Sequence, residues 1–333
     1  MSHQPCKDCP FYGRIRHTLE RLDQRVRYIK PSPGEIPRVK GIDIFGEILP
    51  REGNIGGDHI IYIDFNKRYN LDARINKKEQ RWLKEMSEYS QREIASNPYI
   101  QKKKAEKDKI IQELEMCKKK AGVMVADVKG HDESGSFIVG MLHQSFLTGA
   151  LYEMTLYGNI TTSLFEKLNT RFFNSSSIDD FFTMIYGEIS QDGHFKFISA
   201  GHPAPLIFSA RKNRFTEIPP DKIINYPPIG VMPSEKDIDA GLSQSLLGYK
   251  QAYKISELNL MEKGDILLLF TDGLTELEND DGVPFFPASL ETVLSHKKNN
   301  PAQEICQSIR ERIFDFREKP LDDITYMIIK KGS

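Results

Sequence analysis

Residues 263–276 read KGDILLLFTDGLTE. DILLLF is an apolar run of strand length, and such a run bounded by turn residues predicts a buried strand. Asp272 stands at its end, and Gly273 lets the chain turn at once. The same arrangement, an Asp at the edge of a strand-like apolar run, recurs in three other places. These are GGDHIIYID at 56–64, VADVKGHD at 125–132 and DDITYMIIK at 322–330.

A single Asp at a strand end is an ordinary turn residue. Four of them beside apolar strands carry a different implication if the fold brings Asp58, Asp127, Asp272 and Asp322 together. Like charges a few ångströms apart repel, so either some carboxylates take up protons or metal enters. All-oxygen sites suit hard ions such as Mg²⁺ or Mn²⁺. The chemistry expected of such a cluster is metal-assisted hydrolysis of a phosphate. Two ions roughly 3.5–4 Å apart would bridge a water and lower its pKa. They would also offset charge developing on the phosphoryl oxygens. No GxSxG segment and no Cys–His arrangement points to a covalent intermediate instead.

Outward from these motifs, the pattern is mostly strand with helices in pairs. Residues 42–49 and 58–65 read as strands joined by a Gly- and Pro-containing turn, an expected antiparallel pair. Strands follow at 122–128, 181–190, 194–200, 204–209, 213–218, 265–270 and 324–330. Gln191-Asp192-Gly193 is a strong hairpin signal between two of them. Helices are expected at 135–157, 161–173, 286–297 and 302–316, with Thr161-Thr162-Ser163 available as a cap. Residues 219–252 are irregular and rich in Pro and Gly. The order predicts an α+β fold, a β-sandwich of two mainly antiparallel sheets flanked by helix pairs.

Two segments stand outside that core. Residues 72–120 are charged and helix-forming, with KKK at 102–104 and 118–120 and a break at Asn97-Pro98. They read as a two-helix insertion projecting from the sheet. Its place between two Asp-bearing strands suggests a regulatory or partner-docking arm beside the active-site rim, although a solvated charged face is the simpler reading. Residues 11–30 carry Ile15, Leu19, Leu22, Val26 and Ile29 at helical spacing and end at Pro31-Ser32-Pro33. That helix packs on its own domain or supports a homodimer. The expected division is a helical segment at 1–35 and one catalytic domain at 36–333.

Composition bounds the rest. The 333 residues carry 46 Lys+Arg against 47 Asp+Glu, a net charge of -1. That balance gives no global pull toward nucleic acid or anionic membrane. No apolar run approaches the roughly 18 residues a bilayer span needs, and the N-terminus has no signal-type apolar stretch, so a cytoplasmic protein is expected. Cys6 and Cys9 form a lone CxxC, two ligands short of a zinc site unless His3 and His17 contribute. Free thiols in a tail are the plainer reading, and Cys117 and Cys306 read as filler in helices.

The ordered set GGD, ADVKGH, SAGHPAPLI (199–207), KGDILLLFTDGLTE and DDIT resembles the bacterial metal-dependent protein phosphatases of the PPM type. Within them it is similar to the stage II sporulation E-like branch, relatives of the type 2C phosphatases. The resemblance covers about residues 36–330. It implies a β-sandwich flanked by helix pairs, a site for two Mn²⁺ or Mg²⁺ ions, and removal of phosphate from Ser or Thr of a partner protein. In that branch the partner is often an anti-sigma-factor antagonist. By the resemblance, Asp58 is a direct or water-mediated ligand and Asp127 bridges both ions, with the Val128 carbonyl nearby. Asp272 and Asp322 complete the set, with Asp323 the second choice at the last position.

The chain departs from the family at three points. Ile61 stands where a second Asp is usual, and Asp64 comes later. DVKGHD replaces DVSGHG, so Lys129 is either a phosphate contact or a solvated turn lysine. The 72–120 insertion replaces a short turn. His131 and His202 stay outside the catalytic set, His202 being read as the brace of a tight turn. Two other classes remain open. One is a phosphatase fold that has lost turnover and serves as an interaction module. The other is a nucleotide cyclase suggested by Gly56-Gly57-Asp58, but His59-Ile60 stand where that motif needs Glu-Phe.

Overall fold

The computed structural model describes residues 35–51, 56–128, 133–175, 181–239, 245–259 and 262–332. The N-terminal helix expected at 11–30, Cys6 and Cys9, and Lys129 to Asp132 lie outside them. The strands are β1 (Ile42–Leu49), β2 (Asp58–Asp64), β3 (Lys120–Val128), β4 (Phe182–Ser190), β5 (His194–Ala200), β6 (Leu206–Ser209), β7 (Arg214–Thr216), β8 (Asn225–Tyr226), β9 (Ser256–Asn259), β10 (Ile266–Phe270) and β11 (Ile324–Lys331). The helices are α1 (Phe65–Arg68), α2 (Leu71–Met86), α3 (Gln91–Ser96), α4 (Pro98–Cys117), α5 (Glu133–Leu156), α6 (Thr162–Ser175), α7 (Asp272–Thr275), α8 (Ala288–Lys297) and α9 (Ala302–Phe316).

Among the described residues the strands form two sheets. One has the order β1-β11-β10-β6-β7, and the other has β2-β3-β4-β5-β8, with β9 also on β5. Every pairing is antiparallel except the short β5–β8 contact. The α+β sandwich expected from the sequence is the observed architecture.

Side-chain alternation explains why the central strands are apolar throughout. In β10, Leu267 and Leu269 enter the layer between the sheets, while Ile266, Leu268 and Phe270 face the layer under α8 and α9. In β3, Val123 and Val125 point between the sheets and Met124, Ala126 and Val128 meet α5 and α6. A strand covered on both faces has no polar side to show. Each fully buried Leu or Ile here is worth about 1.5–3 kcal/mol over an exposed one.

The expected β1–β2 hairpin is corrected. β1 pairs with β11 and β2 pairs with β3, in different sheets. They face each other across the sandwich, where a Cβ on Gly46 would stand 2.8 Å from Ile60 Cδ1. Strand period alone specifies which face is buried and leaves the partner strand open. The β4–β5 hairpin forms as expected, with Gly193 at φ +90° in its turn.

The insertion is also corrected, in number and in place. Three helices, α2, α3 and α4, occupy 71–117, because Ser90 caps α3 with a reciprocal Ser90–Glu93 box ahead of the break at Asn97. It is rooted in the core through Leu71, Ile75, Leu114 and Cys117. It leaves β2 after Asp64 and enters β3 at Lys120, whereas Asp58 and Asp127 mark the opposite ends of those strands. The insertion therefore stands about 20 Å from the carboxylate rim, at roughly 3.3 Å per residue of β2. Position between two Asp-bearing strands in sequence is not position beside the carboxylates.

Among the described residues, the segments around Ser234 and Lys250 are held by a buried ion pair. Lys250 Nζ donates to Glu166 Oε2 at 3.0 Å and to Ser234 Oγ at 2.9 Å. The Tyr253 amide donates to the other Glu166 oxygen at 2.6 Å.

Candidate active site

Asp58 and Asp127 are register partners at the end of the β2–β3 pair. Gly56-Gly57 lead into β2, and the Val128 amide donates to the Gly57 carbonyl at 3.1 Å, which closes that end. Asp58 is buried and Asp127 half-buried. From the other sheet, Thr271 Oγ1 donates to Asp58 Oδ2 at 2.8 Å and accepts from the Thr325 amide at 2.9 Å. Thr271 directly follows β10 and Thr325 belongs to β11 of the same sheet, while Asp58 belongs to β2 of the other, so this one hydroxyl joins both sheets at the rim.

Asp323 does a different job. Its Oδ1 accepts from the Arg51 amide and its Oδ2 from the Gly57 amide, both at 2.7 Å. A Cβ on Gly56 would sit 1.9 Å from Asp323 Oδ2, so only glycine lets the chain lie against that carboxylate. Gly273 is held to the same side, since its Cβ would lie 2.0 Å from the Asp323 carbonyl oxygen. Asp322 Oδ1 accepts from the Asp323 amide at 2.7 Å, and Asp322 itself is half-exposed. Asp272, the residue after Thr271, is exposed at the start of α7.

The fold thus brings Asp58 and Asp127 side by side and carries the backbones of Asp272 and Asp322 to the same rim through their neighbours Thr271 and Asp323. As the side chains lie, no group of three or more His, Cys, Asp or Glu among the described residues encloses a metal position. The donor chemistry nevertheless fits a hard divalent cation. Burial, the Asp127 charge and, to a lesser degree, the Asp323 charge push the Asp58 carboxyl well above its usual range, against the pull of Thr271 and Thr325. An oxygen-only cluster that resists ionising by itself is stabilised by a positive ion.

Ile61 and Asp64 settle where the departures from the family pattern point. Ile61 is packed in the core under α5 and α6. Asp64 accepts from the Asn66, Lys67 and Arg38 amides at the far end of β2, a helix cap remote from the rim.

Sequence reasoning passed over two features. The threonines at 271 and 325 interrupt apolar strands with hydroxyls, which was the available signal. His59, inside an otherwise apolar strand, meets His143 of α5, with Nε2 and Nδ1 2.9 Å apart. Burial, with His143 adding, pushes the His59 imidazole down to about 3, so the pair is neutral and one ring donates to the other. His202 is fully buried and bonds the Thr183 hydroxyl through Nδ1 at 2.9 Å.

The profile of the family described as stage II sporulation protein E (SpoIIE) matches residues 118–331. Phosphoserine phosphatase RsbU of Bacillus subtilis (strain 168) is 25% identical over 216 residues, 64% of this chain and 56% of RsbU. The chain therefore spans little more than half the length of that curated relative. Among solved structures, the SiaA-PP2C domain of Pseudomonas aeruginosa superposes with a TM-score of 0.59 at 13% identity, covering 96% of this chain and 98% of that one. The RsbU and RsbW domains of Rv1364c from Mycobacterium tuberculosis give 0.55 at 17% identity, over 89% and 62%. The PP2C phosphatase domain of SpoIIE from Bacillus subtilis, with a fragment of its regulatory domain, gives 0.53 at 14% identity, over 87% and 63%. At these identities the likeness is one of fold.

Proposed function

The chain belongs to the stage II sporulation protein E family, and on that premise we propose that it is a metal-dependent phosphoserine/phosphothreonine protein phosphatase. The observation that carries this reading is the pairing of Asp58 with Asp127 at a rim that Thr271 bridges to the opposite sheet. Residues 36–333 are the proposed phosphatase domain, preceded by a separate helical segment at 1–35.

Asp58, Asp127, Asp272, Asp322 and the Val128 carbonyl are the proposed holders of two Mn²⁺ or Mg²⁺ ions. Such ions, when bound, supply Lewis acidity that offsets phosphoryl charge and makes a bound water more acidic. The chain's own residues do the positioning. Thr271 fixes Asp58 through a charge-assisted bond, worth roughly twice a neutral one. Asp323 spends both oxygens on the Arg51 and Gly57 amides, so it braces the 56–57 loop. That division of labour favours Asp322 over Asp323 as the ligand.

The proposed substrate is a phosphorylated regulatory protein, an anti-sigma-factor antagonist in the first instance. RsbU, named a phosphoserine phosphatase, supports the reaction class. A cytoplasmic setting and a homodimer through the N-terminal segment belong to the same proposal. No helix among the described residues is long and apolar enough to cross a membrane.

The test is hydrolysis of p-nitrophenyl phosphate and of a phosphoserine peptide with Mn²⁺ and with EDTA. Wild type should turn over only with metal, and Asp127→Asn should lose about 100-fold or more of that rate (~2.7 kcal/mol). Absence of turnover under every condition would replace this reading with that of an interaction module.

A further inference from the structure

The insertion builds a cationic cleft at the end of the domain remote from the carboxylates. A cleft of about 580 Å³ opens between α2 and α5, and Arg68, Arg74, Lys77, Lys78 and Arg81 line it. Among the described residues no Asp or Glu does. Arg68 lies 3.8 Å from Glu35 and Arg81 lies 2.9 Å from Glu85. Arg74, Lys77 and Lys78 have no carboxylate within ion-pair distance among the described residues.

Charges of one sign gathered in a concavity repel one another and focus their field on whatever enters. Burial and the neighbouring Arg81 charge pull the Lys78 ammonium below its usual range, a strain that a bound anion relieves. Arg74 is already in place. Its Nη1 donates to Thr155 Oγ1 at 2.8 Å, and its guanidinium lies 5.7 Å from the centre of the Tyr69 ring. A fork held in this way loses little freedom on meeting a phosphate.

The cleft is not purely polar. Leu151 keeps 46% of its surface exposed there, while Tyr69 and Met154 reach the cleft only by the edges of buried side chains. A ligand that matches both features carries several negative charges and a flat apolar part. The volume lies inside the roughly 300–1,000 Å³ typical of small-molecule sites.

We propose that the α2–α5 cleft binds a nucleotide-like ligand, with two or more phosphates on Arg74, Lys77 and Lys78 and its flat part against the exposed side of Leu151. The site is independent of the phosphatase reading, because it lies at the opposite end of β2 and uses none of the same side chains.

Fluorescence anisotropy of N-methylanthraniloyl-ATP with the full chain tests it, in EDTA and ~150 mM salt so that surface attraction is screened. The expected result is saturable binding with Kd on the order of 1–100 μM. Unlabelled ATP should displace the probe, tripolyphosphate should displace it more weakly, and adenosine should not. The double variant Lys77→Glu/Lys78→Glu should weaken binding by about 10-fold or more, since charge-assisted contacts are lost and two like charges face the phosphates. Its far-UV circular dichroism melt should stay close to wild type, because Lys77 is exposed and Lys78 only partly buried, and neither has an ion-pair partner among the described residues. Asp127→Asn should bind the probe like wild type, which separates this site from the metal rim. No saturable binding, equal binding by the double variant, or binding seen only with phosphatidylserine vesicles would overturn the proposal.

Discussion

Replacing Thr271 with Val keeps the side-chain shape and removes one hydroxyl at the joint between the sheets. That hydroxyl has a single proton, and the geometry says where it goes. The Thr325 amide donates to it at 2.9 Å, and the Asp58 carboxylate lies 2.8 Å away, against 3.4 Å to the Thr325 carbonyl. In Thr271→Val, Asp58 loses a charge-assisted bond worth about 1.5–3 kcal/mol, and the buried Thr325 N–H loses its acceptor at about 1–3 kcal/mol. The added buried methyl returns about 0.8 kcal/mol. The net expectation is a loss of about 2–5 kcal/mol in urea unfolding at neutral pH, read by far-UV circular dichroism. A second readout is specific to the site. Asp58 without its anchor should hold Mn²⁺ about 10–100-fold more weakly, the usual cost of removing a partner of a ligand. Thr271→Ser, which keeps the hydroxyl, should restore most of the metal affinity. If the Val variant unfolds within about 0.5 kcal/mol of wild type, the size of an ordinary surface change, the hydroxyl is not the joint argued for here.

Two further outcomes follow from buried charge. His202 is pushed down to about 3 by burial, from about 6.5 when unfolded, so its neutral form favours the fold. Its contribution is full above about pH 6.5 and is lost as pH falls toward 3. At pH 5 the loss is about 2 kcal/mol, so the stability gap between wild type and His202→Gln in urea should narrow by that amount between pH 7.5 and 5. An unchanged gap would refute it. Lys250→Met should cost about 3 kcal/mol by stranding Glu166, and Glu166→Gln in the same chain should recover more than half, since Gln still accepts from the Tyr253 amide. Additive losses in that double-mutant cycle would count against a coupled pair.

The parts of the fold legible in the sequence are those governed by local period and turn chemistry. DILLLF, the Gln191-Asp192-Gly193 hairpin and the α9 helix at 302–316 each declare themselves within about ten residues. The β1–β2 error shows where that information stops. Ile42 to Leu49 and Asp58 to Asp64 have strand period and a turn between them, yet each finds its partner in a different sheet. Pairing is decided by which faces can be covered, and the cover comes from helices remote in sequence, α9 for β1 and α5 and α6 for β2. Thr271 and Thr325 were visible as polar interruptions, but their meaning depends on a contact spanning 213 residues.

The insertion carries the more general lesson, because its place was deducible. In an antiparallel pair, the residue that opens one strand and the residue that closes the next lie at the same end. Asp58 opens β2 and Asp127 closes β3, so whatever joins the two strands must emerge at the other end. That geometry turns an expected regulatory or docking arm beside the carboxylate rim into a remote structure rooted in its own patch of core. It is also why the basic residues of α2 can gather unopposed by the site's carboxylates. Had the insertion stood at the rim, Arg74, Lys77 and Lys78 would have met the Asp58–Asp127 cluster and been neutralised by it. Two regions of opposite charge coexist in this domain because β2 and β3 hold them a strand's length apart, beyond the reach of a screened surface interaction.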